Sequence, residues 1–159
     1  MNFYSALQKK IKKKTAKVAI IGLGYVGLPL ALQFSKKKFN VVGFDIDLKK
    51  INKLKNNQSY IKHIDSDKIK NYSKRLNFKT ELKYIQETDI IILCLPTPVT
   101  KKFEPDLSYI KKNLKDLKIY LRQGQLLILE SSTYPGSTRN IVLPFLSEFK
   151  VGKNFFLGY

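Results

Sequence analysis

One cysteine, one histidine, one methionine, three arginines and no tryptophan among 159 residues restrict what this chain can be. A lone Cys94 closes no internal disulfide, so the fold rests on a packed core, and a reducing, cytoplasmic setting is expected. One Cys and one His (His63) cannot assemble a zinc site, and no metal is expected. Glycine (8) and proline (6) are not enriched, which excludes collagen-like and low-complexity chains. The longest apolar runs, 18–23 and 90–95, have strand length and fall far short of the ~20 residues that cross a bilayer, so no membrane partner is expected. The basic stretch 9–17 is followed by too short an apolar run for an export signal. Acid is scarce too, with 12 Asp+Glu against 30 Lys+Arg and a formal charge of +18. Of those cations 27 are Lys, whereas Arg, the residue of bidentate base and phosphate contacts, is limited to Arg75, Arg122 and Arg139. The excess reads as a solvated lysine surface, and no nucleic-acid partner is expected.

What is present is an alternation of short apolar runs with helical segments. Residues 1–16 form a basic amphipathic leader, with Phe3, Leu7 and Ile11 on one helical face. From Lys17 onward, strands are expected at 17–22, 40–44, 89–95 and 126–130, with weaker ones near 77–79 and 154–157. The strong runs are apolar without alternation, as in parallel strands covered on both faces. Helices are expected at about 26–37, 48–56, 67–75, 107–121 and 137–149. This order predicts an α/β fold of the Rossmann type, a doubly wound, mostly parallel sheet with helices on both faces, over residues 17–159.

Four motifs carry chemistry. Gly22-Leu23-Gly24-Tyr25-Val26-Gly27 follows an apolar strand and opens a helix, the context a dinucleotide fingerprint needs. Gly22 permits the tight turn, Gly24 lets backbone approach a pyrophosphate, and Gly27 lets helix and strand pack closely. The helix N-terminus faces the phosphates, and Pro29 in its first turn costs little. Asp45 ends the second strand, where a carboxylate accepts ribose hydroxyls and repels a 2′-phosphate, so NAD is favoured over NADP. Asp47 reads as the cap of the next helix, and Lys49 and Lys50 are the nearby cations. The run 95–100 (LPTPVT) sits at the end of the fourth strand, where a doubly wound sheet binds ligands, and Thr97 offers a hydroxyl there. The run 130–138 (ESSTYPGST) ends the fifth strand. Ser137 and Thr138 are capping candidates in it, and Ser131 and Ser132 are candidates for a site. Cys94 reads as a small buried hydrophobe within a strand and His63 as a surface residue.

The ordered set GLGYVGLPLA, GFDID, CLPTPVTKKFEPDLSYI, ESSTYPGST and FFLGY resembles the NAD-binding N-terminal domain of the UDP-glucose/GDP-mannose dehydrogenase family. With EPDLSYI and QSYIKHI, the likeness is closest to its UDP-N-acetylglucosamine 6-dehydrogenase branch. The resemblance implies oxidation of a nucleotide-sugar C6 alcohol to a carboxylate with two NAD, in the service of polysaccharide biosynthesis. It implies that Tyr25 and Val26 contact the cofactor, that Asp45 and Lys50 lie at the adenosine ribose, and that Thr97 lies near the nicotinamide-side ribose. Ser132, where the family usually has Thr, would orient a water near nicotinamide. The family's catalytic Glu, Lys and nucleophilic Cys, its central helix and its C-terminal domain would follow Tyr159, so the chain is expected to be a truncated fragment without turnover. The full-length enzyme is expected to be a homodimer taking a UDP-sugar. The readings left open are another NAD-dependent dehydrogenase, a stand-alone NAD-sensing module and a basic nucleic-acid-binding protein.

Overall fold

The computed structural model describes residues 2–101 and 103–159; Met1 of the leader and Lys102 of the CLPTPVTKKFEPDLSYI run lie outside them. A six-stranded sheet forms the centre, in the order β3-β2-β1-β4-β5-β6. Its strands are β1 (Lys17–Ile21), β2 (Asn40–Phe44), β3 (Leu76–Lys79), β4 (Ile90–Leu93), β5 (Leu126–Leu129) and β6 (Phe156–Gly158). Every pairing is parallel. The helices are α1 (Phe3–Lys12), α2 (Gly27–Lys36), α3 (Leu48–Lys55), α4 (Ser66–Tyr72), α5 (Ser108–Leu117) and the short α6 (Leu143–Phe145).

The unbroken apolar strands are covered on both faces, as their patterning requires. Val18 and Ile20 of β1 point into a layer with Leu28 and Leu32 of α2, Ile51 and Leu54 of α3 and Ile69 of α4. Ala19 and Ile21 point into the opposite layer with Ile110, Leu114 and Leu117 of α5, and with Ile141 and Val142. The chain winds outward from β1 to β3 and then returns to place β4 on the other side of β1. The carboxyl ends of β1 and β4 are therefore the switch point of the sheet, the place where doubly wound sheets bind ligands.

Strand and helix cores lie where the sequence places them, and the differences are at the ends. The fourth strand stops at Leu93, so Cys94 follows the strand and does not lie within it. The segment expected as one helix over 137–149 is a π turn (Thr138–Val142) followed by α6. Pro144 has no N–H to continue an i→i−4 ladder there, which accounts for the interruption. Ser137 is no side-chain cap; it is buried and its hydroxyl donates to the Tyr134 carbonyl at 2.7 Å.

The basic leader is a docked helix. Leu7 is buried in the α2 layer, Tyr4 meets Phe156 edge-on, and Lys10 Nζ reaches Asp89 Oδ1 at 2.6 Å. Asp89, just before β4, also accepts from Lys17 N at 3.0 Å and pairs with Arg122 at 3.2 Å. Burial opposes its ionisation, but the Lys10, Lys17 and Arg122 contacts outweigh that and hold its carboxyl below the ordinary range. Asp89→Ala is expected to cost about 2 kcal/mol, discounted because Lys10 and Arg122 stay half-exposed and rehydrate, or roughly 6 °C in Tm. A depressed native pKa stabilises above the unfolded value of about 4 and stops doing so as pH falls through the native value. Thermal melts of the variant and the wild type should thus differ at neutral pH and converge in acid.

Candidate functional site

The β1–α2 turn shows which of its glycines serve the fold. Gly22 has φ +90°, and a Cβ there would lie 2.5 Å from the Cys94 carbonyl oxygen. At Gly27 a Cβ would lie 1.8 Å from the Gly22 carbonyl oxygen and 3.2 Å from Ile20 Cγ2. Gly24 differs, since a Cβ there meets nothing within 4 Å. Sterics inside the chain therefore fix Gly22 and Gly27, while the space over Gly24 is open, as close approach by a ligand requires. The turn leads straight into α2, whose N-cap Val26 makes no side-chain cap bond; Leu28 N–H is taken by the Gly24 carbonyl at 3.1 Å and Pro29 has no N–H, so within the first turn the donor left for a ligand is Gly27 N–H. Tyr25 and Val26 flank the space over Gly24, 76% and 54% exposed.

At the end of β2, Asp45 is oriented by two backbone donors. Leu23 N–H of the turn reaches Oδ2 at 3.0 Å and Asp47 N–H reaches Oδ1 at 2.9 Å. Lys50 Nζ stands 3.7 Å from Oδ2. A carboxylate accepts about four hydrogen bonds, so each oxygen keeps a lone pair for a ribose hydroxyl. Asp47 caps α3 as expected, accepting from Lys49 N at 2.9 Å and Lys50 N at 3.3 Å. Ile46 between the two acids is 89% exposed, an apolar surface beside the carboxylate.

The run after β4 folds back on itself. Val99 pairs with Pro105 in an antiparallel bridge, and Asp106 N–H reaches the Pro98 carbonyl at 2.7 Å. This fixes the arm on which half-buried Thr97 sits at the switch point. Ser131 is not a free site hydroxyl. It is buried, accepts from Leu95 N at 2.9 Å and donates to the Leu93 carbonyl at 3.3 Å, stapling the end of β4 to the end of β5. Ser132 is exposed at the same edge. Beside it, Thr133 Oγ1 is buried with no hydrogen-bond partner among the described residues, and Thr133 lines an open cavity of about 670 Å³ with Tyr134, Arg139, Leu157 and Tyr159. The structure thus brings Gly22, Gly24, Tyr25, Val26, Gly27, Asp45 and Lys50 together at one crevice. Thr97 and Ser132 stand at the same sheet edge, on the loops beyond β4 and β5.

Cys94 has a partly buried thiol pushed up to about 12, first by burial and then by the nearby Glu130 charge, so it is a thiol and not a thiolate at neutral pH. His63 is exposed and stacks on the Tyr25 ring at 6.0 Å between centroids. Among the described residues no three His, Cys, Asp or Glu side chains cluster as metal ligands, and no helix is long and apolar enough to cross a membrane.

A strand, a glycine turn with open space over Gly24, and a fixed acid at the end of the next strand suit a dinucleotide. The family model that matches this chain, over residues 16–157, is the NAD binding domain of the UDP-glucose/GDP-mannose dehydrogenase family. The chain belongs to that family. Its cofactor is NAD. Over 149 residues it is 38% identical to UDP-N-acetyl-D-glucosamine 6-dehydrogenase of Pseudomonas aeruginosa, covering 92% of this chain and 35% of that protein. It is 34% identical over 144 residues to UDP-N-acetyl-D-mannosamine dehydrogenase of Methanococcus vannielii, covering 85% and 33%. Among solved structures, the GDP-mannose dehydrogenase of Pseudomonas aeruginosa superposes with a TM-score of 0.83 at 27% identity, over 88% of this chain and 34% of that one. The chain spans about a third of the length of the relatives it matches.

Proposed function

We propose that this chain is the cofactor-binding part of a nucleotide-sugar 6-dehydrogenase that oxidises the C6 alcohol of a UDP-sugar, of the UDP-N-acetylglucosamine or UDP-glucose type, to a uronate. The observation that carries the reading is the convergence of two features on the carboxyl edge of the sheet. An open glycine turn beside a fixed Asp45 follows β1 and β2, and the hydroxyl run follows β5 at the same edge. NAD, when bound, supplies the hydride acceptor, and a four-electron oxidation of alcohol to carboxylate consumes two of them, with water providing the second carboxylate oxygen.

In this reading the turn's N–H groups hold the diphosphate and Asp45 accepts the adenosine ribose hydroxyls, with Lys50 beside it. Ile46 supports the adenine, and Thr97 stands at the nicotinamide-side ribose. Ser132 orients a water near nicotinamide. Thr133 joins it, because its buried hydroxyl has no partner among the described residues and the residue lines the adjoining cavity. Cys94 is unsuited to covalent chemistry, being half-buried and protonated. The nucleophile that the family resemblance implies is assigned, on this reading, to the part of the relatives' length that this chain does not span. On this account the full-length enzyme is a cytoplasmic homodimer.

Two reactions test the proposal. The 159-residue chain mixed with NAD and either UDP-N-acetylglucosamine or UDP-glucose is expected to bind NAD and produce no NADH. A chimera joining it to the C-terminal two thirds of the Pseudomonas aeruginosa relative is expected to produce NADH from a UDP-sugar. Turnover by the chain alone, or a folded chimera inert toward every UDP-sugar, contradicts the reading.

A further inference from the structure

Leu23, the first variable residue of the glycine turn, is gripped by side chains from outside it. Its N–H donates to Asp45 Oδ2 at 3.0 Å and its carbonyl accepts the Tyr60 hydroxyl. Its side chain is fully buried, with Cδ2 only 2.8 Å from where a Cβ on Gly43 would stand. The neighbours Tyr25 and Val26 are left exposed. Side chains from outside the turn thus hold it at Leu23 and leave Tyr25 and Val26 exposed.

Tyr60 comes from the loop between α3 and α4, and that loop is itself fixed. Ser59 N–H donates to Ser66 Oγ at 3.0 Å, Ile61 N–H donates to Ser59 Oγ at 3.1 Å, and Ile61 and Ile64 are buried. The Tyr60 ring also lies 5.8 Å from Lys50 Nζ, which stands 3.7 Å from Asp45. Lys50 is therefore held between an aromatic face and the carboxylate, a placement that keeps its charge against Asp45. Among the described residues the Tyr60 hydroxyl has no second hydrogen-bond partner, and it keeps its proton because burial, then the Asp45 and Asp47 charges, push its pKa above the ordinary phenol value.

We propose that Tyr60 is a positioning residue of the cofactor site: through the Leu23 carbonyl and the Lys50 ammonium it fixes the glycine turn and Asp45, and so sets the preference for NAD over NADP. The inference rests on the cofactor crevice described above. Without the ring, Lys50 is free to leave Asp45 and meet a 2′-phosphate; without the hydroxyl alone, the turn loses one of its anchors.

The test is calorimetric titration of the 159-residue chain and of Tyr60→Phe and Tyr60→Leu with NADH and with NADPH, each variant also melted thermally. Tyr60→Phe is expected to weaken NADH about fivefold, the worth of one hydrogen bond. Tyr60→Leu is expected to weaken NADH further and to narrow the NADH-to-NADPH affinity ratio roughly tenfold as Lys50 is released. A residue that only supports the fold would lower Tm and leave the ratio unchanged. Wild-type affinity and ratio in both variants, whatever their Tm, overturn the proposal; if Tyr60→Leu does not fold, unchanged NADH affinity in Tyr60→Phe does so alone. A wild-type chain that binds no NADH overturns the cofactor crevice as well, which separates that failure from a failure of Tyr60's role.

Discussion

Gly27→Ala should destabilise the chain by about 3 kcal/mol and abolish NADH binding, while Gly24→Ala, three residues earlier, should leave stability intact and still weaken NADH about tenfold or more. The difference follows from what a methyl group meets. At position 27 it overlaps the Gly22 carbonyl oxygen at 1.8 Å, and because the obstacle is backbone no rotamer change relieves it. The turn must move, and α2 moves with it. At this chain length the cost corresponds to a fall of roughly 10 °C in Tm. At position 24 the methyl meets nothing within 4 Å, and replacing glycine by alanine at an unstrained site typically stabilises by about 0.5 kcal/mol. A methyl in the open space would instead separate the turn's N–H groups from a diphosphate. Losing one hydrogen bond to a charged group lowers affinity about tenfold or more. Thermal melts and NADH titrations of the two variants check this, and equal behaviour in both assays would refute the assignment of Gly24 to the ligand.

Asp45→Ala should weaken NADH about a hundredfold and NADPH far less. The carboxylate accepts from Leu23 N–H and Asp47 N–H, so it arrives at the ribose already oriented. Two charge-assisted bonds to ribose hydroxyls, less their hydration, account for about 3 kcal/mol. For NADPH the same carboxylate is a repulsive neighbour, and its removal leaves Lys50, now 3.7 Å from Oδ2, as an unpaired cation beside the 2′-position. The selectivity, measured as the ratio of the two dissociation constants, is therefore expected to collapse. A variant that keeps its NAD preference would show that Asp45 serves only to brace the turn.

Much of this was legible in the residues because parallel strands covered on both faces are apolar without alternation, and KVAII, NVVGF and IIIL carry that signal undiluted. The glycine turn was readable because its spacing and its place between strand and helix are both sequence properties. Helix ends were less readable. Pro144 interrupts the segment after Ser137, but a π turn depends on how the chain packs and not on local propensity. The hydroxyl run shows the limit most clearly. Ser131, Ser132 and Thr133 are chemically alike in sequence, and only the sheet decides that Ser131 staples β4 to β5, Ser132 faces out and Thr133 is left without a partner among the described residues. Tyr60 lies 37 residues from Leu23, and no periodicity links a loop tyrosine to a distant carbonyl. The signal that could have drawn attention to it was its place in QSYIKHI, where Tyr60 stands with Ile61 and Ile64 among polar residues of the loop between α3 and α4.

The most direct test of the account is backbone-amide NMR of the chain titrated with NAD. Perturbations are expected at Gly22–Gly27, the first turn of α2 and Asp45–Asp47, with smaller ones at Thr97 and Ser132 and none on α1. Perturbations absent from the glycine turn, or centred on the cavity lined by Tyr134 and Arg139, would contradict the assignment of the β1–α2 crevice to the cofactor.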